Sequence, residues 1–201
     1  MIIAIASFKG GVGKTTTAIH LSAYFSVFAK TFLIDDDLNR SSTVWSKRGS
    51  FPFTVEDETE AAKSVRAYQN IVIDTQARPT EEELKTLIKG CDLLVIPSTP
   101  DTLALDSLML TIDTLRALGS QKHRILLTMI PPYPSKDGEE ARNLLTKAEL
   151  PLFKTGIKRY SVFPKASLAG LIVSAVNDAK AAIAWADYQA VGQEIVEGLN
   201  P

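Results

Sequence analysis

Cysteine is nearly absent: the 201-residue chain has one, Cys91. A lone thiol excludes a disulfide framework, a Cys-x-x-Cys redox pair and a cysteine-ligated cluster within one chain. A metal shared between two chains remains open to it, but Cys91 precedes an apolar run, and a core position is the expectation. An excess of charge of one sign is also lacking. Lys and Arg number 22 against 23 Asp and Glu, for a net charge of −1. A generally basic nucleic-acid binder is therefore excluded, and any DNA contact has to come from a local patch. No apolar run reaches the ~18 residues that a membrane span needs. The opening Met1-Ile2-Ile3 carries no basic stretch of the signal-peptide kind. A soluble, cytoplasmic protein is expected. No repeat, low-complexity tract or linker interrupts the chain, so residues 1–201 are expected to form a single domain, long enough for a substantial core.

What is present is a glycine-rich turn between two apolar segments. Ile2-Ile3-Ala4-Ile5-Ala6 reads as a strand, Lys9-Gly10-Gly11-Val12-Gly13-Lys14-Thr15-Thr16 as a turn, and Ala18–Phe25 as a helix. Strand, glycine turn and helix make the setting of a phosphate-binding loop. Gly10, Gly11 and Gly13 let the backbone approach an anion with no Cβ in the way. Their N–H groups and the helix N-terminus supply partial positive charge. Lys14 adds a full charge at the β- and γ-phosphates, and Thr15 a hydroxyl for Mg²⁺. The common pattern G-x-x-x-x-G-K-S/T asks for glycine where this chain has Phe8. In its place a second lysine, Lys9, stands at the mouth of the loop.

Beyond the loop, short apolar runs alternate with helical patterns. Strands are expected at 31–34, 51–55, 70–74, 93–97 and 124–130, with a weak one at 152–154. Helices are expected at 14–28, 43–45, 59–67, 80–89, 101–118, 136–148, 161–168 and 177–199, the fourth opened by a Thr80–Glu83 capping box. This alternation predicts an α/β fold, a doubly wound and mainly parallel sheet with helices on both faces. Ligands in such sheets bind at the carboxyl ends of the strands. That rule gathers Gly10–Thr15, Asp35–Asp37, Asp74 and Pro97–Asp101 at one edge.

Asp74 closes a strongly apolar run, the setting of a magnesium-side carboxylate. Mg²⁺ keeps several waters, so one or two carboxylates with phosphate oxygens suffice. Loop and aspartate together point to a nucleoside triphosphatase. The Asp35-Asp36-Asp37 run places three repelling carboxylates in succession and implies a nearby cation. With strand alternation Asp35 and Asp37 share a side and Asp36 points away. One of the pair can approach Mg²⁺ through its water shell, and the other can position the attacking water.

The lysine-flanked loop resembles the deviant Walker A box of the ParA/MinD ATPases. Leu33–Arg40 is similar to their second motif, Ile71-Val72-Ile73-Asp74-Thr75 to their Walker B strand, and Ile96–Pro100 with Leu103-Ala104-Leu105 to the segment after their next strand. These matches span most of residues 1–110; the later half agrees in pattern only. The resemblance implies that ATP is hydrolysed slowly with Mg²⁺, that Lys9 reaches the phosphates of the partner in an ATP-bound homodimer, and that Asp37 activates the water. The implied sites are Lys9, Lys14 and Asp37 for catalysis, Lys9–Thr16 for the nucleotide, and Thr15, Asp35 and Asp74 for the metal. Two departures are Leu38, where the family usually has proline, and a connection near Ala29-Lys30 that is a residue short.

An iron–sulfur branch needs cysteines the chain lacks. A MinD-like membrane helix should be basic, whereas the last helical stretch carries Asp178, Asp187, Glu194 and Glu197 against Lys180. That leaves the small ParA-type proteins, whose members position plasmids or carboxysomes. The resemblance then implies non-specific DNA binding on the nucleoid and hydrolysis stimulated by a cargo-bound adaptor of the ParB or McdB type. Lys154, Lys158, Arg159 and Lys165 are the candidate DNA contacts, since residues 151–169 contain no acid. A different class, a metabolic P-loop ligase, would share the nucleotide site but need a substrate pocket that no motif marks.

Overall fold

In a computed structural model, residues 1–199 are described. In chain order the elements are β1 (Ile2–Ser7), α1 (Lys14–Ser26), β2 (Thr31–Asp36), α2 (Ser41–Ser46), β3 (Thr54–Asp57), α3 (Glu58–Ser64), β4 (Asn70–Ala77), α4 (Glu81–Gly90), β5 (Leu93–Ser98), α5 (Thr102–Ala117), β6 (His123–Leu127), α6 (Asp137–Lys147), α7 (Val162–Ala169) and α8 (Ala181–Leu199). The six strands form one sheet in the order β3-β2-β4-β1-β5-β6, and every neighbouring pair is parallel. The expected doubly wound sheet is therefore present.

Strand alternation divides the core in two. Ile3 and Ile5 of β1 join Leu33, Val72, Val95 and Leu126 beneath α1 and α8. Ala4 and Ala6 face the other way, with Leu94, Ile96, Ile125 and Leu127, under α4, α5 and α6. Cys91 packs in that second layer, and burial raises its thiol pKa. α4 opens with the expected capping box, Thr80 with Glu83.

Boundaries differ where local geometry overrides the apolar pattern. β2 runs on to Asp36, so two of the three aspartates belong to the strand. β3 begins at Thr54; Pro52 has no N–H for the ladder, and Phe51 and Phe53 stack with ring centres 4.9 Å apart. β6 ends at Leu127 because Met129 adopts a positive φ of 50°. The weak strand at 152–154 is reduced to one isolated parallel bridge, Ile125 with Leu152, and a second bridge, Ile130 with Lys158, lies beyond it.

One junction fixes the helices that border the carboxyl edge. α7 ends on Gly170, whose φ is +70°, in the left-handed region where glycine is favoured. A Cβ there would lie 2.3 Å from the carbonyl carbon of Arg48, and one on Gly49 would lie 2.2 Å from the Gly170 oxygen. Trp45 Nε1 donates to the Leu171 carbonyl at 3.1 Å and Arg48 to the Ser167 carbonyl at 3.2 Å. The turn after α2 and the end of α7 thus meet backbone to backbone. Gly170→Ala should cost about 1–3 kcal/mol through combined strain and overlap. Urea unfolding measures this, and an unchanged midpoint would show that the two backbones do not touch.

Candidate nucleotide-binding site

The loop from Phe8 to Gly13 joins β1 to α1. Gly11 and Gly13 have φ of +77° and +86°, the conformation that turns successive N–H groups toward one point. Gly13 ends the loop as the α1 N-cap, and its carbonyl accepts the first helical hydrogen bond from Thr17 N–H at 2.9 Å. The loop is also pinned from behind: the Thr128 hydroxyl, just past β6, donates to the Val12 carbonyl at 2.8 Å. Around it lies a cavity of about 380 Å³ lined by Gly10, Gly11, Gly13, Lys14, Thr15 and Thr16 together with Asp37, Asn39 and Ser41. Lys14 is buried, which lowers its pKa, while the Asp74 and Asp37 carboxylates act in the opposite direction.

The parallel register sets Asp35 level with Asp74, and both are fully buried. Asp35 is braced by backbone, accepting from Asp37 N–H at 3.3 Å and Thr43 N–H at 2.8 Å. Asp74 accepts from the Ser42 hydroxyl at 2.7 Å. Burial lifts its pKa to about 7, against the Ser42 and Thr15 hydroxyls. Its other oxygen, Oδ1, has no hydrogen-bond partner. An orphaned buried carboxylate oxygen beside the Thr15 hydroxyl suits a hard cation with an oxygen shell. No group of three or more His, Cys, Asp or Glu that could hold a metal occurs among the described residues. Asp36 turns away toward Glu58; burial and then that neighbour raise its pKa. Asp37 lies just beyond the end of β2 rather than on an extended strand; a turn brings it to the cavity, and it accepts from Asn39 N–H at 2.9 Å.

Lys9 is not among the residues lining that cavity. Its ammonium bonds Asp101 at 2.8 Å on the N-terminus of α5, and this bond first, then the Thr99 hydroxyl, holds the Asp101 pKa low.

A second, apolar cavity of about 220 Å³ opens beside the first and shares Gly13, Thr16 and Met129 with it. Ile157, Tyr160, Phe163 and Pro164 make its walls, with Lys158 and Arg159. The sequence reading missed the apolar walls as a site because the stretch 157–164 meets Met129, just past β6, only in the fold. The only local hint is the aromatic and proline content of 160–164. The basic stretch also looks different in space. Lys165 pairs with Asp178 at 2.6 Å. Asp187 accepts from Lys158 N–H at 3.3 Å, and Glu194 from the N–H groups of Lys154 and Thr155, both at 2.8 Å. A stretch without acids along the chain thus meets the acids of α8 and of the turn before it. α8 buries Ala184, Tyr188, Val191 and Ile195. No described helix is long and apolar enough to cross a membrane.

A glycine loop between β1 and α1, with a buried lysine at its cavity and two buried strand-end carboxylates, defines a P-loop nucleotide-binding fold. Residues 3–173 match the CobQ/CobB/MinD/ParA nucleotide binding domain, and the chain belongs to that family. The resemblance carried by the two lysines and the strand-end aspartates is borne out. "Maintenance of carboxysome distribution protein A" of Gloeobacter kilaueensis is 31% identical over 96% of this chain and 93% of its own length. A Borrelia burgdorferi plasmid partition protein bound to AMPPNP has the same fold, with a TM-score of 0.76 at 20% identity over 98% of each chain. So does the ATP complex of a Cyanothece McdA variant, with a TM-score of 0.72 at 18% identity over 99% of this chain and 96% of that one.

Behind the loop, His20 is fully buried with its Nδ1 2.7 Å from the Thr16 carbonyl and its Nε2 3.0 Å from Val173 N. Nδ1 therefore donates and Nε2 accepts, the neutral tautomer. Its ring stacks on Tyr188, centres 4.8 Å apart. Burial lowers its pKa to about 4. Between pH 6.5 and 4 the unfolded chain takes up a proton here that the folded chain does not. The stability this group contributes is whole above about 6.5 and is lost as pH falls toward 4. Relative to His20→Asn, the wild-type chain should lose about 3 kcal/mol across that window. Urea unfolding of both proteins at pH 7.5 and 4.5 gives the difference; parallel curves would mean that His20 takes up its proton equally in the folded and unfolded chains.

Proposed function

We propose that the chain is an ATPase that positions a large cytoplasmic cargo, a carboxysome or a plasmid, by cycling between a free form and an ATP-bound dimer. The observation that carries the reading is the separation of the two lysines. Lys14 lies in its own phosphate cavity, whereas Lys9 points out of it from the same loop. A cation so placed is suited to reach phosphates held by a second copy, and a charge supplied in trans can accelerate phosphoryl transfer by ~10³–10⁵. The carboxysome-distribution relative and a Rhizobium radiobacter "Protein ParA" support the cargo class.

In this reading Gly10–Gly13 and Lys14 hold the β- and γ-phosphates, and the base rests against Met129, Tyr160 and Phe163. Thr15 and Asp74 would hold Mg²⁺, with Asp35 acting through its water shell. The ion would neutralise charge on the phosphates. Asp37, held by Asn39 at the cavity wall, orients the attacking water. Lys158 and Arg159, with Lys154, contact DNA phosphates without reading sequence, a binding mode that salt weakens steeply. Lys165 contributes less, being committed to Asp178. A small adaptor on the cargo stimulates a slow basal hydrolysis, and the protein spends its ATP-bound time on the nucleoid.

With Mg²⁺ and ATP, Lys9→Ala should stay monomeric by light scattering while still binding nucleotide; a dimer of wild-type strength would sink the shared-site reading. Asp37→Ala should bind ATP and dimerise, yet turn over at least tenfold more slowly. For DNA, Lys158→Glu with Arg159→Glu should abolish retention and flatten its salt dependence. ATP binding has to be followed in parallel because both residues border the base cavity. Retention equal to wild type at every salt concentration would remove this patch from the proposal.

A further inference from the structure

The bond that holds Lys9 in the free chain is built on one side and free on the other. Asp101 is the N-cap of α5: its Oδ1 accepts from Ala104 N–H at 3.0 Å and from Lys9 Nζ at 2.8 Å. Its Oδ2 accepts from the Thr99 hydroxyl. A helix terminus and a neighbouring hydroxyl thus fix the carboxylate. Lys9, by contrast, lies along a surface groove with Phe8, Arg78, Pro79 and Leu103, and only its ammonium is tied down. Of the two partners, the lysine is the one free to leave. Lys9 and Asp101 are 92 residues apart, so the bond is a product of the fold and not of local sequence.

We propose that Asp101 is a positioning residue for Lys9, parking the lysine on α5 in the free chain and giving it up when a second copy offers phosphates. The proposal rests on the role in trans given to Lys9 above. Dimerisation is then an exchange of one anion for another. A triphosphate competes with a single carboxylate better than a diphosphate does, so Asp101 sharpens the dependence of the dimer on the γ-phosphate. The side chains of the pair are 31% and 53% exposed, and a pair so exposed shifts an equilibrium by roughly fivefold at most. A symmetric dimer breaks two of them, for a ceiling of roughly 25-fold in the dimerisation constant.

The test uses the full chain with Mg²⁺ and a non-hydrolysable ATP analogue, and reads the dimer dissociation constant by analytical ultracentrifugation. Asp101→Asn removes the charge but keeps the helix cap, since asparagine caps as well as aspartate; losing one exposed pair should lower its thermal midpoint by no more than about 4 °C. Its dimer should be tighter by severalfold, up to the ceiling above, and some dimer should form with ADP. Asp101→Glu restores the charge and should return the constant toward wild type. In a Lys9→Ala background, Asp101→Asn should change nothing. An Asp101→Asn dimer no tighter than wild type, while Lys9→Ala stays monomeric, overturns the parking role alone. If Lys9→Ala dimerises like wild type, the shared-site reading itself has failed.

Discussion

Two carboxylates held level inside an apolar sheet set the terms for everything around them. Asp35 and Asp74 sit on adjacent parallel strands with no solvent to stabilise their charge, and burying such groups unpaired is costly. The chain meets that cost from three directions. The turn after β2 returns backbone N–H groups to Asp35, α2 delivers the Ser42 hydroxyl to Asp74, and the phosphate loop brings Lys14 and Thr15 alongside. The position of α2 and the path of the Asp37–Arg40 turn follow from that demand. One oxygen of Asp74 remains without a partner.

The parts of the site written in contiguous residues were legible in advance. Lys9–Thr16 announced the cradle, and the runs ending in Asp35 and Asp74 announced the carboxylates, because a strand end fixes where its last residue goes. What depended on distant packing was not legible. The base cavity joins Met129 to residues 157–164, and no spacing rule links them. The basic stretch looked unopposed because its acids arrive from Asp178, Asp187 and Glu194, after the chain has crossed the molecule. The resting place of Lys9 on Asp101 was equally hidden. β3 was misplaced by three residues because Phe51 and Phe53 carry a strand-like pattern yet stack on each other.

The coincidence of charge and base at one loop bears on the proposed cycle. Lys158 and Arg159 border the apolar cavity, and the backbone that carries them is anchored to both neighbours. Arg159 N–H bonds the Ile130 carbonyl at 2.9 Å and Ile130 N–H the Ile157 carbonyl at 3.0 Å. α8 holds the same loop through Asp187. The same short backbone segment therefore lines the apolar cavity and presents the two cations, so in the proposed cycle nucleotide and DNA would meet neighbouring faces of it.

The contact between Gly49 and Gly170 joins the two ends of the cleft. α2 begins next to the Asp37 turn, and α7 carries Phe163 and Pro164 of the apolar wall. Since main chain meets main chain there, no side-chain rotamer can take up slack between them. The glycine pair sets the gauge of the cleft: the span from the apolar wall to the Asp37 turn is a fixed length.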